Sequence, residues 1–139
     1  MATQTFSCSI VTPERSVLEA DDATFVAIPA HDGEIGILKG RSPLLCQLGI
    51  GTLRVERDGE VESFYVDRGF AQMVDNKLTV LTEQAKRAGE IDRQQAAEAL
   101  VSAEAMPFKG SEEMWADERM VAIRRAKTQI ALADKSSSD

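Results

Sequence analysis

Few residues in this sequence are of a type that does chemistry, and their spacing does not suit it. One histidine, His31, stands in the turn-like stretch Pro29-Ala30-His31-Asp32-Gly33, with no cysteine beside it and no second histidine to complete a metal site. The run from Gly33 to Ser42 imitates a phosphate-binding loop, but such a loop needs glycine where Ile35 stands and lysine where Arg41 stands. Gly49-Ile50-Gly51-Thr52-Leu53-Arg54 lacks the third glycine of a dinucleotide fingerprint. These glycines read as turn residues. There is no Gly-x-Ser-x-Gly elbow. The acidic pairs Asp21-Asp22 and Glu112-Glu113 read as solvated surface, and Trp115 as a packing residue, not a nucleotide platform. Cys8 and Cys46 fit neither a disulfide framework nor a zinc spacing and are expected to be buried free thiols in a reducing compartment. No catalytic constellation emerges, so the chain is not expected to be an enzyme.

The elements around these residues fall into two kinds. As far as residue 88 the signals are those of strands. Phe6, Cys8 and Ile10 alternate with Ser7 and Ser9, and Thr24 to Ile28 is a β-rich run ending at Pro29. Leu53-Arg54-Val55-Glu56, the turn Asp58-Gly59 and Val61 to Val66 spell a hairpin, because Asp-Gly tolerates the positive φ of a primed turn. A second hairpin turns at Asp75-Asn76, between Phe70–Val74 and Leu78–Leu81. Short strands at regular spacing predict a β-sandwich or barrel over residues 1–88.

From residue 89 alanine replaces the β-branched residues. Asp92, with Gln95 three residues on, is a capping box that starts a helix expected to reach about Met106, before Pro107. Leu100 and Val101 are its larger apolar anchors. Ser111 caps a second helix expected to end near Ala133, with Ala116, Met120, Ile123, Ala126 and Ile130 as its apolar stripe and a solvated tail from Lys135. Residues 89–139 therefore form a helical hairpin. Its second helix opens with acids and continues with Arg119, Arg124, Arg125 and Lys127. The helix dipole favours that order; a basic face docking on an acidic partner accounts for it equally well.

The 139 residues suit one domain with an appendage, and 43% hydrophobic with 28% charged residues is an ordinary globular composition. A net charge of −7 argues against general nucleic-acid binding. No run is apolar for long enough to span a bilayer, and the start lacks the basic and apolar regions of a secretory signal, so a cytoplasmic location is expected.

Certain residues then carry a family resemblance over nearly the whole length. They are Val11-Thr12-Pro13, Ile28-Pro29, Asp32-Gly33-Glu34-Ile35-Gly36-Ile37-Leu38, Ser42-Pro43-Leu44-Leu45, Leu48 to Gly51, Gly69-Phe70, Asn76, Val80-Leu81 and the two-helix tail. In this order they resemble the epsilon subunit of F-type ATP synthases of the bacterial and chloroplast kind. The resemblance implies a flattened β-sandwich of about ten strands followed by a C-terminal antiparallel two-helix hairpin. It implies a non-catalytic rotor subunit in the central stalk, bound to the gamma subunit and the c-ring, that helps couple proton transport to ATP synthesis. Its helices would inhibit ATP hydrolysis by reaching the alpha/beta catalytic head. Membrane association would be peripheral, through the complex, at the cytoplasmic face of the plasma membrane or at a thylakoid if the chain is plastid-encoded.

By the same resemblance Gly33, Glu34, Ile35, Gly36 and Arg41 would face the c-ring, with Glu34 as the acidic contact. Arg41-Ser42 stands where many relatives have His-Ala. Arg119, Arg124, Arg125 and Lys127 would face an acidic segment of the beta subunit. Ile91, Asp92 and Ala96 match a motif through which some relatives bind ATP, but Gln95 stands where that motif has arginine, which removes a charge-assisted phosphate contact. No cofactor is expected. A stand-alone ATP-sensing module is the alternative reading.

Overall fold

The computed structural model describes residues 4–137. The chain divides into two compact units, Met1–Arg87 and Ala88–Asp139. Six strands make up the first: β1 (Phe6–Val11), β2 (Ser16–Ala30), β3 (Gly33–Ile37), β4 (Leu44–Arg57), β5 (Glu60–Val74) and β6 (Lys77–Arg87). They run β1-β6-β5-β4-β2-β3, and β1 pairs with β2 as well, which closes the sheet into a sandwich-like barrel. Only β1–β6 is parallel among these pairings.

The architecture is the expected one, but the strands number six, not about ten. Several turn signals turn out to be bends inside long strands. β2 does not stop at Pro29, because its register with β4 breaks between Ala27 and Ala30, where no N–H is needed from proline. β4 runs through Gly49 and Gly51 without reversing. β5 bends at Arg68 and Gly69, whose φ values are 55° and 124°. Both expected hairpin turns are present, with positive φ at Asp58 and Gly59 and at Asp75 and Asn76.

The bend in β5 is bound to β6. The Thr82 hydroxyl lies 2.7 Å from the Arg68 carbonyl, to which it donates, and accepts from the Asp67 N–H at 3.2 Å. Buried Asp67 accepts from the Tyr65 hydroxyl at 3.1 Å, and Arg68 pairs with Asp67 and with Glu83. A Cβ on Gly69 would lie 2.0 Å from the Leu81 carbonyl oxygen. Inside, Ile10, Val26, Ile28, Leu48, Leu53, Phe64, Met73 and Val80 are fully or almost fully removed from water. Cys8 joins that core, and burial pushes its thiol up to about 12, opposed in small part by Arg57. Cys46 was expected to be buried as well but is half-buried, because it lies near the start of β4 and only packs against the core's margin.

The second unit begins with a 3-10 turn (Ala88–Glu90), followed by α1 (Arg93–Glu104) and α2 (Glu112–Ser137). Asp92 caps α1 by accepting from the Gln95 N–H at 3.1 Å, and Ser111 caps α2 by accepting from the Met114 N–H at 3.2 Å. α1 closes at Ala105, short of Met106. α2 continues past Ala133 through Lys135, since no proline or glycine interrupts it and a cation in its last turn suits the dipole. The expected solvated tail is thereby shortened, and its last two residues lie outside those described. The expected stripe is also corrected. Met120 is 68% exposed and Val101 65%, whereas Leu132 is buried with Ala96, Ala103, Ala126 and Ala133. The buried residues of the hairpin are thus mostly alanine, and each buried methyl contributes about 0.8 kcal/mol.

Gly69→Ala is expected to cost about 3 kcal/mol or more, since both the backbone angle and the carbonyl approach forbid a side chain there. Urea unfolding of the variant checks this; a loss below about 1 kcal/mol would mean that the bend is not fixed as described.

Candidate functional site

The features that stand out among the described residues of the first unit are surfaces. His31 and Asp32 form the exposed two-residue turn between β2 and β3, with the His31 N–H donating to the Gln47 carbonyl at 2.8 Å. Gly33, Glu34, Ile35 and Gly36 are strand residues of β3, not a loop, paired with Ala30, Pro29, Ile28 and Ala27 of β2. β3 is paired on one side only, so it presents an edge. Gly33 has φ 144° just after the turn, whereas Gly36 is needed for a different reason: a Cβ there would meet the Phe25 ring at 3.0 Å. Gly51 likewise makes room for Pro29, whose Cβ would lie 2.8 Å away. Reading these two as turn residues misses close packing between strands, which composition does not reveal.

Glu34 is exposed and accepts from Arg54 Nη2 of β4 at 3.0 Å. Arg54 is a member of this surface that sequence reasoning missed; the pair is 20 residues apart and only the sheet register joins them. Arg41 is exposed in the following loop, where the Gly40 N–H donates to the Asn76 side chain at 2.7 Å. The loop is thereby tied to the β5–β6 turn.

A second surface is apolar. Phe70 and Leu81 are directly paired across β5 and β6, and they are 55% and 54% exposed. With Val11 and Pro13 they line a shallow groove of about 440 Å³. The signal was present in strand parity. Ala71 and Met73 face the core on β5, as Leu78 and Val80 do on β6, which leaves Phe70 and Leu81 pointing to solvent.

In the helical unit the four basic candidates separate. Arg119 donates to the Glu104 carbonyl, with its Nη2 at 3.2 Å, and so satisfies an end carbonyl of α1. Arg124 and Lys127 are exposed, and Arg125 is half-buried and engaged. Trp115 donates to the Met106 carbonyl at 3.1 Å and meets Phe108 edge to face at 5.6 Å. At the other end of the hairpin Arg93 holds Asp134 through both Nε and Nη2. The hydrogen bond first, and the carboxylate charge second, raise the guanidinium further above its usual range. Ile91 is half-buried, Ala96 is buried, and the Asp92 carboxylate is occupied by the cap. No three His, Cys, Asp or Glu among the described residues are grouped to hold a metal.

Residues 5–88 match the family profile described as "ATP synthase, Delta/Epsilon chain, beta-sandwich domain". The chain belongs to that family. The ATP synthase epsilon chain of Rhodopirellula baltica is 40% identical over 123 residues, covering 88% of this chain and 94% of the relative. That of Syntrophomonas wolfei is 36% identical over 136 residues, 97% of this chain and 98% of the relative. Relatedness to epsilon chains thus extends through the helices. In solved structures, a chain of the Euglena gracilis mitochondrial ATP synthase (OSCP/F1/c-ring) shares the fold with a TM-score of 0.78 and 22% identity, over 100% of this chain and 84% of that one. A chain from the central stalk and c-ring of the Tetrahymena thermophila enzyme does so with 0.65 and 15%, over 99% of each. No helix among the described residues is long and apolar enough to cross a membrane.

Asp92→Ala is expected to cost the hairpin about 1 kcal/mol by removing the cap. Amide exchange of the first turn of α1 measures it, and unchanged protection would show that the cap does not hold this helix.

Proposed function

We propose that this epsilon chain works as a non-catalytic rotor subunit in the central stalk of an F-type ATP synthase, joining the gamma subunit to the c-ring and restraining ATP hydrolysis through its helices. The observation that carries the reading is that relatedness to epsilon chains spans both units, with 97% of the chain aligned to one of them. The physical properties of the two units suit the two tasks. A closed sheet with a fixed bend resists deformation and can transmit torque. A hairpin whose buried residues are mostly alanine can leave one arrangement for another at small cost.

The apolar groove at Phe70 and Leu81 suits a permanent partner and is assigned to gamma; obligate contacts are built around such apolar cores. The β3 edge, with Glu34 held by Arg54 and Arg41 in the next loop, is assigned to the polar loops of the c-ring. Arg124 and Lys127, with Arg125, are assigned to an acidic segment of the beta subunit in the alpha/beta head; Arg119 is occupied by Glu104 while the hairpin is closed. Membrane association is then peripheral and indirect, at the face that carries the catalytic head, the cytoplasmic face in a bacterium. ATP is not required as a ligand: Gln95 supplies no charge to a phosphate, and Asp92 is occupied.

Deleting residues 90–139 is expected to leave the sheet unit folded and bound to gamma while hydrolysis by the assembled enzyme rises several-fold; an unfolded remnant would contradict the modular reading, and unaltered hydrolysis the regulatory one. Calorimetric titration of the full chain with ATP is expected to give no saturable heat below millimolar concentration. A micromolar isotherm would restore the nucleotide-sensing alternative.

A further inference from the structure

Arg93 and Asp134 stand at the wrong ends of their helices. Arg93 is the first residue of α1, where the helix dipole is positive, and Asp134 lies in the last turn of α2, where it is negative. Each charge therefore weakens the helix that carries it. The remainder of α2 follows the opposite rule, with Glu112 and Glu113 at its start and Lys135 at its end. Local helix formation does not account for these two residues; their mutual contact does. They meet as a fork, Nε to one carboxylate oxygen and Nη2 to the other, across 41 residues of sequence.

The position of the fork matters as much as its geometry. The turn end of the hairpin is fastened by Trp115 to Met106 and by Arg119 to Glu104, contacts only 9 and 15 residues apart in sequence. Both lie beside the segment between α1 and α2, where an opening that hinges there moves the helices apart least. The fork lies at the far end, where the helices separate first, and the residues buried in this unit are mostly alanines that offer little apolar resistance. Glu90, in the 3-10 turn that packs beside α2, Lys135 and Asp134 itself are engaged in further interactions, so the fork is the centre of a wider polar contact at this end.

We propose that the Arg93–Asp134 fork is an electrostatic latch on the open end of the hairpin, so that ionic strength sets how often the two helices part. Opening separates the two charges and leaves each against a like-signed helix end, which couples release of the latch to fraying of both helices. Both side chains are about half exposed, 56% and 51%, so added salt screens the contact. The latch itself stands on the contacts above; its consequence for hydrolysis rests on the regulatory reading.

The latch and local helix physics predict opposite signs, which makes the test decisive. Amide exchange is followed in the full chain, in Arg93→Gln, Asp134→Asn, the double variant and the charge swap Arg93→Asp/Asp134→Arg, at low and at high sodium chloride. The sheet-unit amides serve as internal reference. Each single variant is expected to exchange its hairpin amides about two- to fivefold faster than the parent. The double variant is expected to be no faster than the faster single variant and to lose the salt response. The swap should restore parental protection or exceed it. Single variants that exchange at the parental rate or more slowly would overturn the latch, as would additive effects in the double variant or a swap that fails to restore protection. Faster exchange with unchanged hydrolysis in the assembled enzyme would leave the latch standing and remove the regulatory reading instead.

Discussion

The pairing of β1 with two neighbours, antiparallel to β2 and parallel to β6, is the constraint on which the first unit depends. It joins the first described strand to the last and closes the sheet, so that among the described strands β3 is the one left with an unpaired side. Closure in so few strands requires each long strand to pass around the core, and the bends at Arg68-Gly69 in β5 and between Ala27 and Ala30 in β2 allow it. The result is a closed sheet around one apolar core to which every strand contributes. Such a closed sheet resists deformation, which is the property that the proposed stalk role requires.

The surfaces follow from the same closure. Strand parity sends Ala71, Met73, Leu78 and Val80 inward and so fixes Phe70 and Leu81 outward, where two large apolar side chains stay in water unless a partner covers them. Register also carries Arg54 to Glu34. The acidic position on the β3 edge is therefore one half of a pair, and any partner meets a charge already oriented by a neighbouring strand.

Local chemistry made much of this legible in the sequence. Asp58-Gly59 and Asp75-Asn76 announce their turns because few residue pairs accept two successive positive φ angles, and Asp92 and Ser111 announce helix starts because their side chains serve the backbone beside them. Apart from the helix ends, the misreadings are non-local. Gly36 and Gly51 lack side chains because another strand comes close, at Phe25 and Pro29, and nothing near them in sequence says so. Met120 and Val101 promise burial on composition, yet the hairpin buries alanines, since the helices determine together which faces meet. Arg54 and the Arg93–Asp134 fork are visible only once distant segments are brought side by side. Local helix rules read Arg93 and Asp134 as misplaced, and that conflict is itself the mark of a long-range contact.

A stiff closed sheet and a lightly fastened hairpin should differ in stability, and the chain carries a natural probe for the hairpin. Its single tryptophan, Trp115, lies at the start of α2 and its single tyrosine, Tyr65, is buried in β5. Urea titration monitored by Trp115 fluorescence and, in parallel, by the amide NMR signals of β4, β5 and β6 compares the two units in one sample. The account predicts that Trp115 reports loss of the hairpin at a clearly lower urea concentration than loss of the sheet. Coincident midpoints and slopes would mean that the chain unfolds as one cooperative body and would contradict it.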